Sequence, residues 1–199
     1  MAFELSFGGK DGTLPAVTIS QPDGELRVGG KVDRVDGYIK NGRLYLRVMD
    51  YKSGKKSFSL SDIWYGLNMQ LIIYLYALQQ EGLDRYRARL TAELNEIVPA
   101  GVLYVPVRDE LPDAARDTDE EGLRILRDKV LRRSGLLSDD MSLLEAMEHG
   151  LEGDGRFIPV SIKVKKGEDE PTLAAKSAVA DLAKFGRLAR YTHEKLLEM

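Results

Sequence analysis

Asn41-Gly42, set between two runs of strand-forming residues, constrains this chain more than any other pair in it. Asn-Gly is the favoured core of a type I′ turn, in which both central residues take positive φ and a two-residue loop joins antiparallel strands. Lys40 then pairs with Arg43, and the register follows back along both strands. One face matches Ile39 with Leu44, Gly37 with Leu46 and Val35 with Val48; the other matches Tyr38 with Tyr45, Asp36 with Arg47 and Arg34 with Met49. The first face is expected to be dry, and the second polar, aromatic and charge-matched.

The next pair on the dry face sets Asp33 against Asp50. Directly opposed residues hold their β-carbons about 4.5 to 5.5 Å apart. Two carboxylates at that separation repel unless one is protonated or a cation lies between them. A divalent ion is the economical answer, with Mg²⁺ the expected species and Mn²⁺ able to substitute, since such ions take oxygen ligands, keep several waters and need only one or two carboxylates. Lys52 follows two residues after Asp50 and points to the same face. The register also sets Lys31 against Lys52, so the ladder is expected to splay or bulge just past Asp50. A metal between two carboxylates can activate water while a nearby ammonium stabilises charge on a phosphodiester. The bland reading of the same residues is a charge pair at a sheet edge.

Composition bounds the alternatives. A chain of 199 residues is read as a single domain, residues 1–199, able to bury a sizeable core without disulfides. It has no cysteine, which excludes a thiolate metal site or an iron–sulfur cluster inside it. A net charge of −3 argues against a generally basic nucleic-acid glove, so phosphate contacts must come from local clusters. The longest apolar run, Leu71 to Leu78, is too short to span a bilayer and no basic, apolar leader opens the chain, which points to the cytoplasm and to no membrane partner. "SGKKS" is no Walker loop, because Met49 and Lys56 stand where Gly and Ser or Thr are required.

From Glu4 to about Lys52 the chain reads as strands, with "AVTI", "ELRVGGKVDRVDGYI" and "RLYLRVMDY" the candidates. Beyond it come helices: "SDIWYGLNMQLIIYLYALQQEG" as one long helix capped by Ser59 or Ser61, "DEEGLRILRDKVLRRSG", "SLLEAMEHG", and a terminal helix over Thr172 to Met199. "AGVLYVPV" and "RFIPVSIKV" read as further strands, and the charged stretches 108–120 and 165–171 as surface loops.

"GGKVDRVDG", "VMDYKSGKK" and "GLNMQLIIYLYAL" together resemble the RecB-type nuclease domain of the PD-(D/E)XK superfamily, in the form found in AddB-like helicase/nuclease proteins. The likeness continues through "PAGVLYVPV" and "FIPVSIKV" and covers nearly the whole chain. It implies an α/β, restriction-endonuclease-like fold: a central mixed sheet flanked by helices. It also implies a Mg²⁺-dependent exonuclease acting on DNA, with Asp33, Asp50 and the backbone carbonyl of Tyr51 as metal ligands and Lys52, Gln70 and Tyr74 as catalytic residues. The implied setting is a helicase/nuclease complex with an AddA-like subunit as partner, processing double-strand DNA ends for recombinational repair.

Family members of this type usually carry a metal-binding His on a helix before the sheet, and the AddB-like proteins carry four cysteines for an iron–sulfur cluster. This chain has only His149 and His193, both late, and no Cys. It is therefore expected to be a fragment that lacks an upstream helix and a cysteine-rich tail, with any iron–sulfur cluster belonging to the parent protein. The competing reading is a nuclease-derived nucleic-acid-binding or subunit-docking module without activity.

Other residues divide between site and scaffold. Arg34, Lys55 and Lys56 are candidate DNA contacts, whereas Asp36, on the opposite face and matched by Arg47, reads as a structural ion pair. Gln70 and Tyr74 alone would read as the edge of the apolar stripe Ile63, Leu67, Leu71, Tyr74 and Leu78. Trp64 and Tyr65 suit either base stacking or packing. Lys176, Lys184, Arg187 and Arg190 on the last helix read as a wet face or as a contact with DNA or a subunit.

Overall fold

The computed structural model describes residues 1–9, 13–54, 56–90, 93–107, 112–164 and 170–198. Lys55 and parts of the two charged stretches predicted as loops lie outside the described residues. The amino-terminal part is all strand: β1 (Ala2–Phe7), a separate hairpin of β2 (Val17–Gln21) and β3 (Gly24–Val28), and the long pair β4 (Gly30–Lys40) and β5 (Arg43–Lys52). Asn41 and Gly42 take φ of 53° and 71°, as a type I′ turn requires. Every predicted pair from Lys40–Arg43 to Arg34–Met49 forms.

The rest of the chain adds α1 (Leu60–Trp64), α2 (Gln70–Glu81), α3 (Leu83–Arg89), β6 (Glu96–Pro106), α4 (Glu120–Leu131), β7 (Ser134–Ser138), α5 (Met141–Met147), β8 (Ile162–Lys163), β9 (Thr172–Leu173), β10 (Val179–Ala180) and α6 (Leu182–Leu197). The main sheet has the order β1-β4-β5-β6-β7-β10. It is mixed: β5–β6 and β7–β10 are parallel and the other pairs antiparallel. This is the mixed α/β sheet flanked by helices that the sequence implied. Among the described residues no helix is long and apolar enough to cross a membrane.

Both faces of β5 are buried. Leu44, Leu46 and Val48 join Leu71, Leu75 and Leu78 of α2 and Phe185 and Leu196 of α6 in the larger core. Fully burying an aliphatic side chain contributes about 1.5 to 3 kcal/mol, so this layer holds α2 firmly against the strand that bears Asp50. The face expected to be polar is instead a second core, in which Met49 meets Leu103, Leu137, Leu144 and Ile158, and Tyr45 meets Val98, Ala100 and Leu143. Pairing dictates which residues share a face, whereas the cover on that face comes from α5 and the segment after it.

Five predicted elements change, one of them the strand candidate "ELRVGGKVDRVDGYI", which divides at Gly29 into β3 and β4 of separate sheets. The long helix is two, because Gly66 and Asn68 take φ of 74° and 54° and end α1; Leu67 leaves the apolar stripe and is 59% exposed. Ser59, not Ser61, caps α1, its hydroxyl accepting from the Asp62 N–H. The terminal helix begins at Leu182, where Asp181 caps it by accepting from the Lys184 N–H, and residues 172–180 supply β9 and β10 instead, so Lys176 is not on the helix but pairs with Asp154. "RFIPVSIKV" keeps only Ile162–Lys163 as strand, while "RRSG" is not a helix end but leads into β7. Asp119 and Asp140 cap α4 and α5, their carboxylates accepting from the N–H of Gly122 and from those of Ser142 and Leu143.

Candidate active site

β4 loses its regular alternation at Asp33. Val32 and Val35 both join the larger core, although residues three apart on a regular strand face opposite sides. Val32 pairs with Leu5 and Arg34 with Phe3 on β1, Arg34 is the last β4 residue paired to β5, and Asp33 belongs to neither ladder. Glu4, between Phe3 and Leu5, takes a left-handed φ of 50°. Such an irregularity re-aims a side chain: Oδ2 of Asp33 accepts a hydrogen bond from the backbone N–H of Tyr51 at 2.8 Å. The ladder thus opens one pair earlier than expected. The repulsion predicted between Asp33 and Asp50 is relieved by turning one carboxylate onto a backbone donor.

Asp50 itself is held in the sheet, only 4% exposed, with β5 still paired to β6 as far as Lys52–Pro106. Lys52 Nζ lies 2.5 Å from Asp50 Oδ2 as an ion pair. The approach is off the line of a hydrogen bond, so this buried oxygen accepts none. A buried carboxylate oxygen met only by one ammonium is a place where a cation can add. The donors at hand are oxygens: the carboxylates of Asp33 and Asp50 and the neighbouring Tyr51 carbonyl. That set fits a hard, hydrated divalent ion and not zinc, which prefers nitrogen and sulfur. Among the described residues no third His, Cys, Asp or Glu joins them.

The helix side is built by the break between α1 and α2. Asn68 donates to Asp62 Oδ2 at 2.7 Å and accepts from Lys56 Nζ at 2.5 Å, which fixes the loop that delivers Gln70. Gln70 Oε1 accepts from Lys52 Nζ at 3.4 Å, and its amide donates to Tyr74 Oη at 2.9 Å. Tyr74 in turn meets Phe7 edge-on, with ring centroids 5.6 Å apart, and lies over Gly30, where an added Cβ would stand 2.9 Å from its Cε1. Gly30 is therefore required for close approach: the strand carrying Asp33 and the helix carrying Gln70 touch through it. Asp33, Asp50, Lys52, Gln70 and Tyr74 are thus one connected constellation.

Two participants escaped the sequence reading. Tyr104 stands beside Asp50 in β6, 2% exposed, with Lys52 Nζ 5.8 Å and Lys56 Nζ 6.0 Å from its ring centroid. Burial pushes its hydroxyl above the usual phenol range, and the charges of Asp50 and Asp62 push the same way. Asn68 is the other. No local signal marks either, since one needs the β5–β6 register and the other the helix break.

A cavity of about 470 Å³ opens beside Lys52, bounded in part by Lys56, Tyr104, Lys129 and Arg132. Lys56 therefore faces both the site and this space. Arg34 is otherwise engaged: its guanidinium forks onto Asp36 at 2.9 and 3.0 Å and lies over the Phe3 ring. Arg47 donates to the same Asp36 at 2.8 Å, so Asp36 is the structural ion pair read from the sequence, enlarged to a triad. Lys55 lies outside the described residues.

The family model for the PD-(D/E)XK nuclease superfamily matches residues 1–194. Proteins named as the B component of an ATP-dependent helicase/deoxyribonuclease are similar throughout: that of Ruminiclostridium cellulolyticum is 34% identical over the whole chain, that of Acetivibrio thermocellus 35% over 98% of it, and that of Clostridium tetani 35% over the whole. In each case the chain spans only 16% of the relative's length. With its "DYK" strand end, its Asp33 and its Gln70 helix drawn together on a mixed sheet, the chain belongs to the PD-(D/E)XK nuclease superfamily.

Proposed function

We propose that this chain is the metal-dependent deoxyribonuclease domain of a larger helicase/nuclease protein. The observation that carries the reading is the convergence of Asp50, Lys52 and Gln70 at the opened end of the β4–β5 ladder, beside Asp33. Asp33, Asp50 and the Tyr51 carbonyl would hold Mg²⁺ or Mn²⁺. Bound there, the ion supplies Lewis-acid stabilisation of a phosphodiester and lowers the pKa of water. Lys52 contributes a fixed positive charge at the attacked phosphate or the attacking water, aimed by its contacts to Asp50 and Gln70. Tyr74 braces Gln70, and Lys56 lines the adjoining cavity where the DNA backbone can lie. Arg34 is the lesser DNA contact because Asp36 occupies its fork.

The relatives' names extend the reading to the parent protein. We place it in the cytoplasm with an AddA-like helicase/nuclease subunit as partner, degrading DNA ends exonucleolytically for recombinational repair. Any iron–sulfur cluster of the parent must use cysteines outside this chain, which has none. The chain itself would be one domain of that parent, whose remaining segments complete the metal shell.

The test is cleavage of linear DNA by the chain and by the full-length parent, with and without Mn²⁺, beside Asp50→Ala. Metal-dependent cleavage lost in Asp50→Ala is the expected result; cleavage that persists in the variant or in chelator rejects the assignment. One observation favours the silent-module reading: the two carboxylates have no third His, Cys, Asp or Glu with them among the described residues. DNA binding without cleavage by the metal-loaded parent would establish that alternative.

A further inference from the structure

We propose that the groove between α1 and α6 binds a single DNA strand and that Trp64 is its stacking platform. The choice of DNA rests on the nuclease reading above; the groove's chemistry stands apart from it. Trp64 is 68% exposed, yet it is not loose. Its ring stacks on Tyr191 with centroids 5.3 Å apart and an interplanar angle of 10°, and Tyr191 Oη donates to the Trp64 carbonyl at 2.5 Å. Lys195 Nζ lies 5.6 Å from the centroid of the same tyrosine ring. The indole is therefore fixed from one side with its remaining surface in water. A rigid aromatic face of this kind has already lost the rotamer freedom that binding would otherwise remove.

The same groove, about 440 Å³, is lined by Lys184, Arg187 and Arg190 of α6. These lie three residues apart along one side of the helix. Among the described residues none of the three forms an ion pair, and Glu194 is the only acidic one lining the groove. A row of unpaired cations beside an open aromatic face matches a strand that offers phosphates on one side and an unstacked base on the other. A duplex keeps its base faces covered and cannot use the platform. The loop between Trp64 and Gln70 connects the groove to the candidate site, since Gln70 touches Lys52 and Asn68 touches Lys56. A strand crossing Trp64 would thus lead toward the carboxylates.

Trp64 is the only tryptophan in the chain, so its emission reports this groove alone. The chain is titrated in chelator with single-stranded oligothymidylate and with a duplex of equal length. Saturable quenching by the single strand, weaker by about tenfold with duplex, is expected. Arg187→Glu with Arg190→Glu should weaken the single-strand titration about tenfold and flatten its salt dependence. Trp64→Leu, followed with a labelled strand, should lose about tenfold in affinity, the loss of one base stack. All three changed residues lie on the surface of the groove, and circular dichroism melts check that the variants fold. Unchanged emission, or affinity unaffected by either set of changes, overturns the proposal. Because chelator prevents metal-dependent cleavage, absent nuclease activity with intact quenching would count against the nuclease reading alone.

Discussion

Asp33 and Tyr51 are joined across the opened end of a ladder: Oδ2 of the aspartate accepts the tyrosine's backbone N–H at 2.8 Å. The bond keeps the carboxylate of Asp33 beside the residue that follows Asp50 while giving its charge a donor. An acidic pair can then persist at one strand end in the absence of bound cation. The arrangement separates two consequences of changing Asp33, one for the fold and one for the chemistry.

Asp33→Asn retains an oxygen that can accept from Tyr51, so its Tm should stay within about 2 °C of wild type. Asp33→Ala loses that acceptor and should melt a further 2 to 4 °C lower, about 1 kcal/mol for a chain of this size. Both should lose at least about 100-fold in metal-dependent cleavage, because each removes the charge of a proposed metal ligand. Equal cleavage by Asp33→Asn and wild type would remove Asp33 from the metal site.

Lys52→Ala should abolish cleavage and leave DNA binding nearly intact, since in the proposed role its charge acts chiefly in the transition state. It also strips the ammonium from a carboxylate that is 4% exposed, and should cost about 1 to 3 kcal/mol of stability. Millimolar Mg²⁺ should raise the Tm of this variant more than that of wild type, by supplying the missing positive charge. Asp50→Ala should show no such metal response. Thermal melts with and without Mg²⁺ separate the two roles; identical responses would mean that Asp50 holds no metal.

The Arg34–Asp36–Arg47 triad predicts a pH dependence. Burial alone would push the Asp36 carboxyl up, but hydrogen bonds from Arg34 and Arg47, and their charges, hold it below the usual carboxylate range. A depressed folded-state pKa contributes stability that is complete above the unfolded value of about 3.9 and is lost as pH falls through the folded value. Asp36→Asn should therefore cost about 2 to 4 kcal/mol at neutral pH, where it leaves buried Arg47 without its counter-charge. The gap to wild type should narrow below about pH 4. Urea melts between pH 7 and 3 measure this, and a gap that widens on acidification would contradict it.

Gly30→Ala places a methyl group 2.9 Å from Tyr74 Cε1 and 3.1 Å from Phe7 Cζ. Tyr74 must yield, and with it the hydrogen bond that braces Gln70 against Lys52. Overpacking of this kind costs about 1 to 3 kcal/mol, and cleavage should fall more than stability explains. Pairing the variant with Tyr74→Ala in a double-mutant cycle tests the coupling. Additive effects on cleavage would show that Gly30 and Tyr74 act separately.

The hairpin was legible because its information is local. Asn41-Gly42 sets one turn, period-two pleating carries the register outward, and together they identify Val35 with Val48 and Asp36 with Arg47 without any knowledge of the rest of the chain. The acidic strand end and Lys52 could be read from the same arithmetic, and the order of three motifs pointed to the superfamily. What the tertiary structure alone decided is how that arithmetic stops. The break in alternation at Asp33 lies across from Glu4 of β1, which takes a left-handed conformation, and β1 lies far from Asp50 in sequence. Burial of Arg47 and Met49 depends on α5 and the segment after β7, which cover a face that alternation marks as polar. Tyr104 reaches Asp50 only through a parallel crossover, and Gln70 reaches Lys52 only because Gly66 and Asn68 break a run that reads as continuous helix. Pairing and polarity are properties of neighbours along the chain; cover, kinks and crossovers depend on elements distant in it.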